Sequence, residues 1–262
     1  MPDRTEIDRW IISELNRTSA KVTALLDDFN VTDSGRLIEA FVDDLSNWYV
    51  RRSRRRFWKS EMNKEKLSAY QTLYECLETL CKLTAPFAPF ISEAIYLDLN
   101  AETKREKFES VHLADFPKAT YRDKTLEEKM EVAQNVVYLT RAMRAKNNLK
   151  VRQPLKKIMV ALDKSKHEAL SKMKDVILEE VNIKELIILT DDSEIVNKSA
   201  KANFKSIGPK FGKKVKAVSE AIRNFSKEEV SKIEKGLDVV INIENENISI
   251  TKDDVEIIST EI

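Results

Sequence analysis

The stretch from Trp48 to Lys59 concentrates side chains that can bind a nucleic acid. Guanidinium groups donate forked hydrogen bonds to phosphate, and flat aromatic rings stack on unpaired bases. The same chemistry would suit DNA or an acidic protein, and for any single arginine an ion pair within the chain is an alternative, with Asp27, Asp28, Asp43 or Asp44 as partner. The stretch contains the cations Arg51, Arg52, Arg54, Arg55, Arg56 and Lys59 and the aromatic residues Trp48, Tyr49, Phe57 and Trp58.

Two further basic segments are weaker candidates. Residues 146–152 include Lys150 and Arg152, and residues 208–214 include Lys210, Lys213 and Lys214. The second segment holds two of the chain's four glycines beside a predicted helix start, where free backbone N–H groups could take a phosphate. A solvated turn is the alternative interpretation of that segment.

Few residues remain for catalysis or metal binding. Four glycines in 262 residues are far below the usual frequency of roughly 7%, and no glycine-rich phosphate-binding motif occurs. Cys76 and Cys81 point about 140° apart on a helix, which disfavours a shared zinc ion. His112 and His167 have no evident serine or cysteine partner. The sequence therefore predicts a binding protein with no catalytic residue and no metal site.

The charge is unevenly distributed along the chain. The net charge is only +1, yet residues 48–66 carry a net charge of +6 and residues 198–216 contain seven basic and no acidic residues. Basic segments concentrated within a chain of nearly zero net charge indicate a surface that binds an anionic partner. No apolar run is long enough for a membrane span and the first residues lack a signal peptide, so we expect a cytoplasmic protein without a membrane partner.

Apolar periodicity predicts four helices in the first part of the chain. The second of them follows Asn30, and the basic stretch continues it: Leu45, Tyr49, Arg52, Arg56 and Lys59 share one face. Because unpaired guanidinium groups are costly to bury, this pattern predicts that the helix runs past the end of the bundle core. The third and fourth helices are predicted at residues 64–84 and 91–99, followed by a short extended segment at 110–117 and a helix at 126–145.

The second part of the chain has a mixed pattern, typical of a small α+β domain. Strands are predicted at residues 149–152, 158–162, 183–189 and 255–258, and an extended segment at 202–207. Helices are predicted at residues 166–180 and 210–224. Residues 238–244 and 247–251 alternate in the manner of a hairpin.

Four motifs in this order resemble a known family: Asp8-Arg9-Trp10-Ile11, residues 44–58, residues 83–93, and Ser110-Val111-His112-Leu113. They are similar to the anticodon-binding region of class I aminoacyl-tRNA synthetases. The arginine-rich helix is similar to that of the isoleucyl enzymes. Residues 148–155 and 208–212 resemble the region that follows the bundle in the eukaryote-like branch of those enzymes.

This resemblance implies a mainly α fold, with a class I anticodon-binding helical bundle at 1–108, a connecting strand and helix at 109–147, and a small α+β domain at 148–262. The catalytic and editing motifs of the family are absent, so we expect a C-terminal fragment that is inactive alone. ATP and Mg²⁺ are implied only for the full-length ligase, no cofactor is expected in this fragment, and the chain gives no indication about zinc elsewhere in that protein.

The implied partners are isoleucine tRNA and the catalytic domain of the full-length protein, and we expect a monomer. The residues expected to contact tRNA are Trp48, Arg51, Arg52, Arg54, Arg55, Arg56, Trp58 and Lys59, with Lys150, Arg152, Lys210, Lys213 and Lys214 as a second set. A valyl or leucyl relative, a generic RNA-binding module, and a protein-interaction module with a basic helix are the alternative functions.

Overall fold

The computed structural model of the chain describes residues 4–58, 61–190, 196–243 and 246–261. The chain divides into two compact units, Met1–Leu139 and Thr140–Ile262. The first is helical and the second combines short helices with strands, so the predicted mainly α fold with a bundle followed by an α+β part is confirmed. The predicted domain boundaries at residues 108 and 147 stay predictions.

The first unit is built from helices joined by short loops. Asn30 and Asn63 start two of these helices, because each side-chain oxygen accepts a hydrogen bond from the backbone N–H three residues later. Pro89 occupies the first helical position of another, where no N–H is required. The helices are α1 (Glu6–Asp27), α2 (Val31–Asp43), a π-helical turn (Asp44–Val50), α3 (Arg51–Trp58), α4 (Lys64–Thr84), α5 (Pro89–Thr103), a 3-10 turn (Val111–Leu113) and α6 (Lys124–Lys146), which contains the boundary to the second unit.

Helices α1 and α4 run in the same direction. Near the start of both helices, the Ser68 hydroxyl donates a hydrogen bond to the Asp8 carboxylate over 2.8 Å. Toward their ends, Val22 and Leu83 share a buried apolar cluster. These two contacts are 14 residues apart along α1, which corresponds to about 21 Å.

The helix formed by α2, the π turn and α3 runs the opposite way. Ile38 belongs to the cluster of Val22, and Arg56 lies against Asp8. The bundle therefore has two distinct ends. We call the one that contains Asp8, Arg56 and Ser68 the arginine end, and the one formed by the loops at residues 28–30 and 85–88 the loop end.

The second unit contains three two-stranded sheets and five short helices among its described residues. One sheet is parallel, with its strands connected by two helices, and the other two are antiparallel. In chain order the elements are β1 (Leu155–Ala161), α7 (Lys164–Lys172), α8 (Lys174–Val181), β2 (Ile183–Leu189), β3 (Val196–Ala202), α9 (Phe204–Phe211), a 3-10 turn (Gly212–Lys214), α10 (Val215–Arg223), α11 (Lys227–Glu234), β4 (Val239–Ile243), β5 (Glu246–Ile250), a 3-10 turn (Lys252–Asp254) and β6 (Val255–Glu261). Strand β1 pairs with β2, β3 with β6, and β4 with β5.

Several predictions for this unit are correct. Strand β2 has the predicted bounds, and β4 and β5 form the predicted hairpin. Glu244 and Asn245 lie outside the described residues. Ile207, Ile222, Ile233 and Ile250 are fully buried in the core that packs β3, β4, β5 and β6 against α9, α10 and α11.

Other predictions for this part of the chain are wrong. Residues 149–152 form a turn rather than a strand, because Asn148 adopts a positive φ of 56° and ends α6. In the predicted extended segment 202–207 only Ala202 lies in a strand, because Asn203 accepts a hydrogen bond from the Lys205 N–H and starts α9. The predicted helices 166–180 and 210–224 are each interrupted, at Met173 and at Gly212. In the first unit, the extended segment 110–117 includes a 3-10 turn.

Within the part of the chain that the structure describes, no helix combines the length and the apolar character that a membrane crossing requires.

Two glycines allow a test of the backbone conformations. Gly212 has a φ of 47°, which strains any L side chain, whereas Gly35 lies inside α2, where an added Cβ meets only Phe87 at an ordinary 3.8 Å. We expect Gly212→Ala to destabilise the protein by about 1 kcal/mol. Gly35→Ala should stabilise it by about 0.5–1 kcal/mol through helix propensity. Urea unfolding measures both changes, and shifts of the same sign would contradict this assignment.

Candidate nucleic-acid interface

The basic stretch forms the last part of the second long helix, as predicted. Seven residues of π-helix, Asp44–Val50, lead without a break into α3. Such π-helical turns are uncommon and often occur at functional sites. Trp48 lies in the π turn, α3 ends at Trp58, and Lys59 lies outside the described residues.

The arginines of α3 fall into two groups by exposure. Arg51, Arg54 and Arg55 are exposed, whereas Arg52 and Arg56 are half-buried. The Nε of Arg51 donates a hydrogen bond of 2.7 Å to the carbonyl oxygen of Asn47, which orients this guanidinium along the helix. The helix therefore presents a cationic face to solvent and keeps part of its charge against the bundle.

Trp58 offers a large flat surface at the end of α3. Its side chain is 75% exposed, and the guanidinium carbon of Arg54 lies 5.3 Å from the ring centroid. This distance fits a cation–π interaction, which holds an arginine beside the aromatic ring. A ring with an adjacent cation is the arrangement that binds a base together with its phosphate.

A second aromatic group is formed around Phe57, the residue before Trp58, and one member of it, Tyr70, was missed by the sequence analysis. The ring of Phe57 contacts Tyr49 and Tyr70 edge to face, with centroid distances of 6.4 and 5.2 Å. Tyr70 lies on α4 and is 46% exposed, although its spacing from Leu67 and Leu73 is that of an inner-face residue. No local pattern identifies it, because its neighbour Phe57 belongs to another helix.

Arg56 is the exception among these arginines, because its guanidinium is occupied inside the bundle. Its two terminal nitrogens donate to the two oxygens of Asp8 over 2.8 and 2.7 Å, and Nη2 also donates to the carbonyl oxygen of Glu65 over 2.9 Å. The predicted partners of such an arginine were Asp27, Asp28, Asp43 and Asp44. Its partner is instead the fully buried Asp8, 48 residues earlier in the chain.

The Asp8 carboxylate accepts six hydrogen bonds in total. Besides Arg56, the donors are the hydroxyls of Tyr49 and Ser68 and both the hydroxyl and the N–H of Thr5, at 2.8–3.0 Å. Burial alone would raise the pKa of Asp8, but these hydrogen bonds, led by that of Arg56, outweigh it and lower the pKa to about 2. The ion pair therefore remains intact throughout the neutral range.

This pair changes the interpretation of the helix. The periodicity had predicted that the helix leaves the core once its inner face turns basic. Arg56 instead keeps α3 attached to α1, because Asp8 supplies a buried counter-charge. Arg56 therefore positions the exposed arginines, and its predicted tRNA contact is not used in the proposal below.

In the second unit, Lys150 and Arg152 are exposed on the turn that follows α6. The turn is held by Arg144, a buried residue that the sequence analysis missed. Its guanidinium donates to the carbonyl oxygens of Lys150, Gln153, Val181 and Asn182. The rigid turn keeps both predicted contact residues at the surface.

The remaining basic residues of the second set differ in availability. Lys210 donates to the buried carboxylate of Asp254 over 2.7 Å, and Lys214 pairs with Glu246. Lys213, on the 3-10 turn between them, is exposed. Two of these three lysines thus serve ion pairs within the unit, and a phosphate would have to compete with Asp254 or Glu246.

The cysteines and histidines show no sign of reactive chemistry. Cys76 and Cys81 are buried free thiols, and burial raises the pKa of Cys81 to about 11. His167 bonds through Nε2 to the carbonyl oxygen of Leu162, and His112 is exposed. Over the described ranges, no three His, Cys, Asp or Glu residues form a group that could hold a metal ion.

The Asp8–Arg56 pair predicts a large difference between neighbouring arginines. Arg56→Leu leaves a buried carboxylate without its cation and should destabilise the protein by about 3 kcal/mol. The matched change Arg55→Leu removes an exposed charge and should cost less than about 0.5 kcal/mol. Urea unfolding at pH 7 measures both, and equal losses would show that Arg56 is not part of the fold's framework.

The lowered pKa of Asp8 also predicts an acid response. Its folded pKa, about 2, lies below the ordinary value near 4, so the carboxylate adds about 2 kcal/mol of stability above pH 4 that is lost as the pH falls toward 2. Asp8→Asn should lower stability at pH 6 and flatten this part of the pH profile. Unfolding free energies between pH 6 and pH 2.5 test this, and an unchanged profile in the variant would contradict it.

Comparison with known proteins agrees with this arrangement. Residues 8–159 match the family described as the anticodon-binding domain of tRNA ligase, a range that includes Asp8 and all of α3. Isoleucine–tRNA ligases from Bacteroides thetaiotaomicron and Cytophaga hutchinsonii are 44% and 43% identical to the whole chain. The ligase from Porphyromonas gingivalis is 43% identical over 99% of it.

The chain spans only 23–24% of the length of these relatives. The resemblance to the anticodon-binding region of class I synthetases, and among them to the isoleucyl enzymes, is nevertheless confirmed, because the family match covers more than half of the chain. The chain therefore belongs to the family of anticodon-binding domains of tRNA ligases.

Proposed function

We propose that this chain binds the anticodon stem-loop of an isoleucine tRNA as part of an isoleucine–tRNA ligase. The observation that carries the proposal is the exposed surface of α3, in which Arg54 and Arg55 lie beside Trp58 within the range of the family match. The relatives named isoleucine–tRNA ligase support the choice of amino acid.

In this proposal the residues of the arginine end have different roles. Arg51, Arg54 and Arg55 contact phosphates or base edges, because their side chains are exposed on α3. The half-buried Arg52 is a further proposed contact. Trp58 and Trp48 stack on bases. Arg56 holds α3 on the bundle through Asp8, and Lys59 remains a contact proposed from the sequence alone.

The second unit supplies additional phosphate contacts. Lys150, Arg152 and Lys213 are exposed and can approach a phosphate directly. Lys210 and Lys214 would first exchange the carboxylates of Asp254 and Glu246 for the phosphate. We therefore rank the first three residues above the last two.

The activity of the full-length protein is the ATP-dependent charging of tRNA with isoleucine. ATP and Mg²⁺ act in its catalytic domain, which is the partner of this chain within the same protein. Binding energy from the stem-loop can raise turnover only if part of it is realised in the transition state at the distant acceptor end. A cytoplasmic location and a monomeric state belong to the same proposal.

Binding measured against salt concentration tests the function. Phosphate contacts release counterions, so the affinity for isoleucine tRNA should fall steeply with salt, and the Arg54→Ala, Arg55→Ala double variant should reduce the slope by about 1.5. The double variant Lys164→Ala, Lys166→Ala removes two exposed lysines of the second unit that are not among the proposed contacts, and it should leave the slope unchanged.

Two outcomes would contradict the proposal. An affinity that does not change with salt would favour a protein-interaction module with a basic helix. Equal affinities for isoleucine tRNA and valine tRNA at the same salt concentration would leave a general RNA-binding module or a valyl or leucyl relative.

A further inference from the structure

Two phenylalanines on the first unit are almost completely exposed. Phe29 and Phe90 expose 91% and 90% of their surface, more than any other large apolar residue in the described ranges. Removing a phenylalanine side chain from water is favourable, so two such exposed rings offer apolar surface to a ligand.

Both residues lie at the loop end of the bundle, opposite the arginine end. Phe29 follows Leu26 by three residues and Phe90 follows Phe87 by three residues, and Leu26 and Phe87 pack on the same apolar cluster. Phe87 also faces Gly35 of α2 at 3.8 Å from the position of an added Cβ. The two exposed rings therefore lie on segments that are anchored to the same cluster.

Hydrogen bonds and helix geometry define the backbone at both phenylalanines. Phe29 adopts a φ of 58°, which is unusual for an aromatic residue and is maintained by its N–H bond to the Leu26 carbonyl oxygen and by the bond from the Asn30 N–H to the Leu25 carbonyl oxygen. Phe90 is the second residue of α5, directly after Pro89. Stacking on a ligand therefore has to order the two side chains but not the backbone that carries them.

The charges at this end disfavour phosphate. Asp27 and Asp28 are exposed, and Arg36 is paired with Asp33 over 3.0 Å. Carboxylates repel phosphate oxygens but accept hydrogen bonds from the amino groups of bases. A ligand that fits this surface would stack the faces of its bases on the rings and donate from its base amino groups to the carboxylates. Its phosphates would be directed away from the surface.

We propose that Phe29 and Phe90 form a stacking site for unpaired bases of the RNA loop whose stem phosphates are held by the arginines of α3. This inference rests on the proposed function and extends it to a second surface about 30 Å from the first, the length of α1 from Asp8 to its end. It assigns phosphate binding to one end of the bundle and base contacts to the other.

The test uses two hairpin RNAs, the anticodon stem-loop of isoleucine tRNA and the same stem closed by a linker without bases. The double variant Phe29→Asn, Phe90→Ala removes both rings, and asparagine tolerates the positive φ at position 29. We expect the variant to bind the stem-loop at least about ten-fold more weakly, with an unchanged salt slope and unchanged affinity for the linker hairpin.

Two controls separate stacking from general effects. Phe29→Tyr, Phe90→Tyr keeps both flat rings and should retain the affinity within about three-fold. Tyr138→Ala removes an aromatic ring that is 72% exposed on α6 and should leave binding unchanged. Urea unfolding of each variant verifies that the bundle is intact.

A fluorescent base in the RNA loop gives a direct measure of stacking. 2-Aminopurine at such a position should lose fluorescence when the stem-loop binds the wild type. It should not lose fluorescence when the stem-loop binds the Phe29→Asn, Phe90→Ala double variant, called the ringless variant below.

The outcomes distinguish this inference from the proposed function. If the wild type fails to bind the stem-loop, both are overturned. If it binds with a steep salt slope and the ringless variant binds equally well, the proposed function stands and the stacking site is wrong. A photo-crosslinker placed in the full-length ligase at the residue that corresponds to Phe90 could instead trap another segment of protein while RNA binding is unaffected. That result would assign this surface to protein docking.

Discussion

The carboxylate of Asp8 connects three helices at the arginine end of the bundle. It lies on α1, accepts hydrogen bonds from Tyr49 and Arg56 on the second long helix, and accepts another from Ser68 on α4. A buried carboxylate is stable only when its hydrogen-bonding capacity is fully used, so the three helices are constrained to meet here in one arrangement. This constraint also sets the positions of the exposed arginines, because they lie on the same α3 helix as Arg56.

The bundle thereby separates structural from functional charge within a single run of arginines. Arg56 neutralises Asp8 and stays half-buried, while Arg54 and Arg55 remain at the surface beside Trp58. The same separation recurs in the second unit. Arg144 is buried and binds four carbonyl oxygens, and it supports the turn that exposes Lys150 and Arg152. In both units a guanidinium group inside the fold presents other cations to the solvent.

The helices and the identity of the basic surface were largely predictable because they follow from local patterns. Apolar periodicity located α4 at residues 64–84, and the β-branched run at 183–189 is a strand with those bounds. Errors arose where a specific side-chain or backbone interaction overrides the apolar pattern. The turn at 149–152 has a strand-like composition, but Asn148 has a positive φ and Arg144 binds the carbonyl oxygens of Lys150 and Gln153. Tyr70 has the spacing of a core residue, yet it is 46% exposed and packs edge to face on Phe57 of another helix.

The sequence by itself determined the class of the protein, because the order of its motifs and the clustering of its arginines are properties of the linear chain. Only the tertiary structure decided which arginine serves the fold and which face the solvent, because that depends on Asp8, 48 residues away from Arg56. It also decided that Phe29 and Phe90 lie at the same end of the bundle, since two loops 61 residues apart converge on one apolar cluster. Side-chain types specify which interactions are possible, and the packing of the helices selects among them.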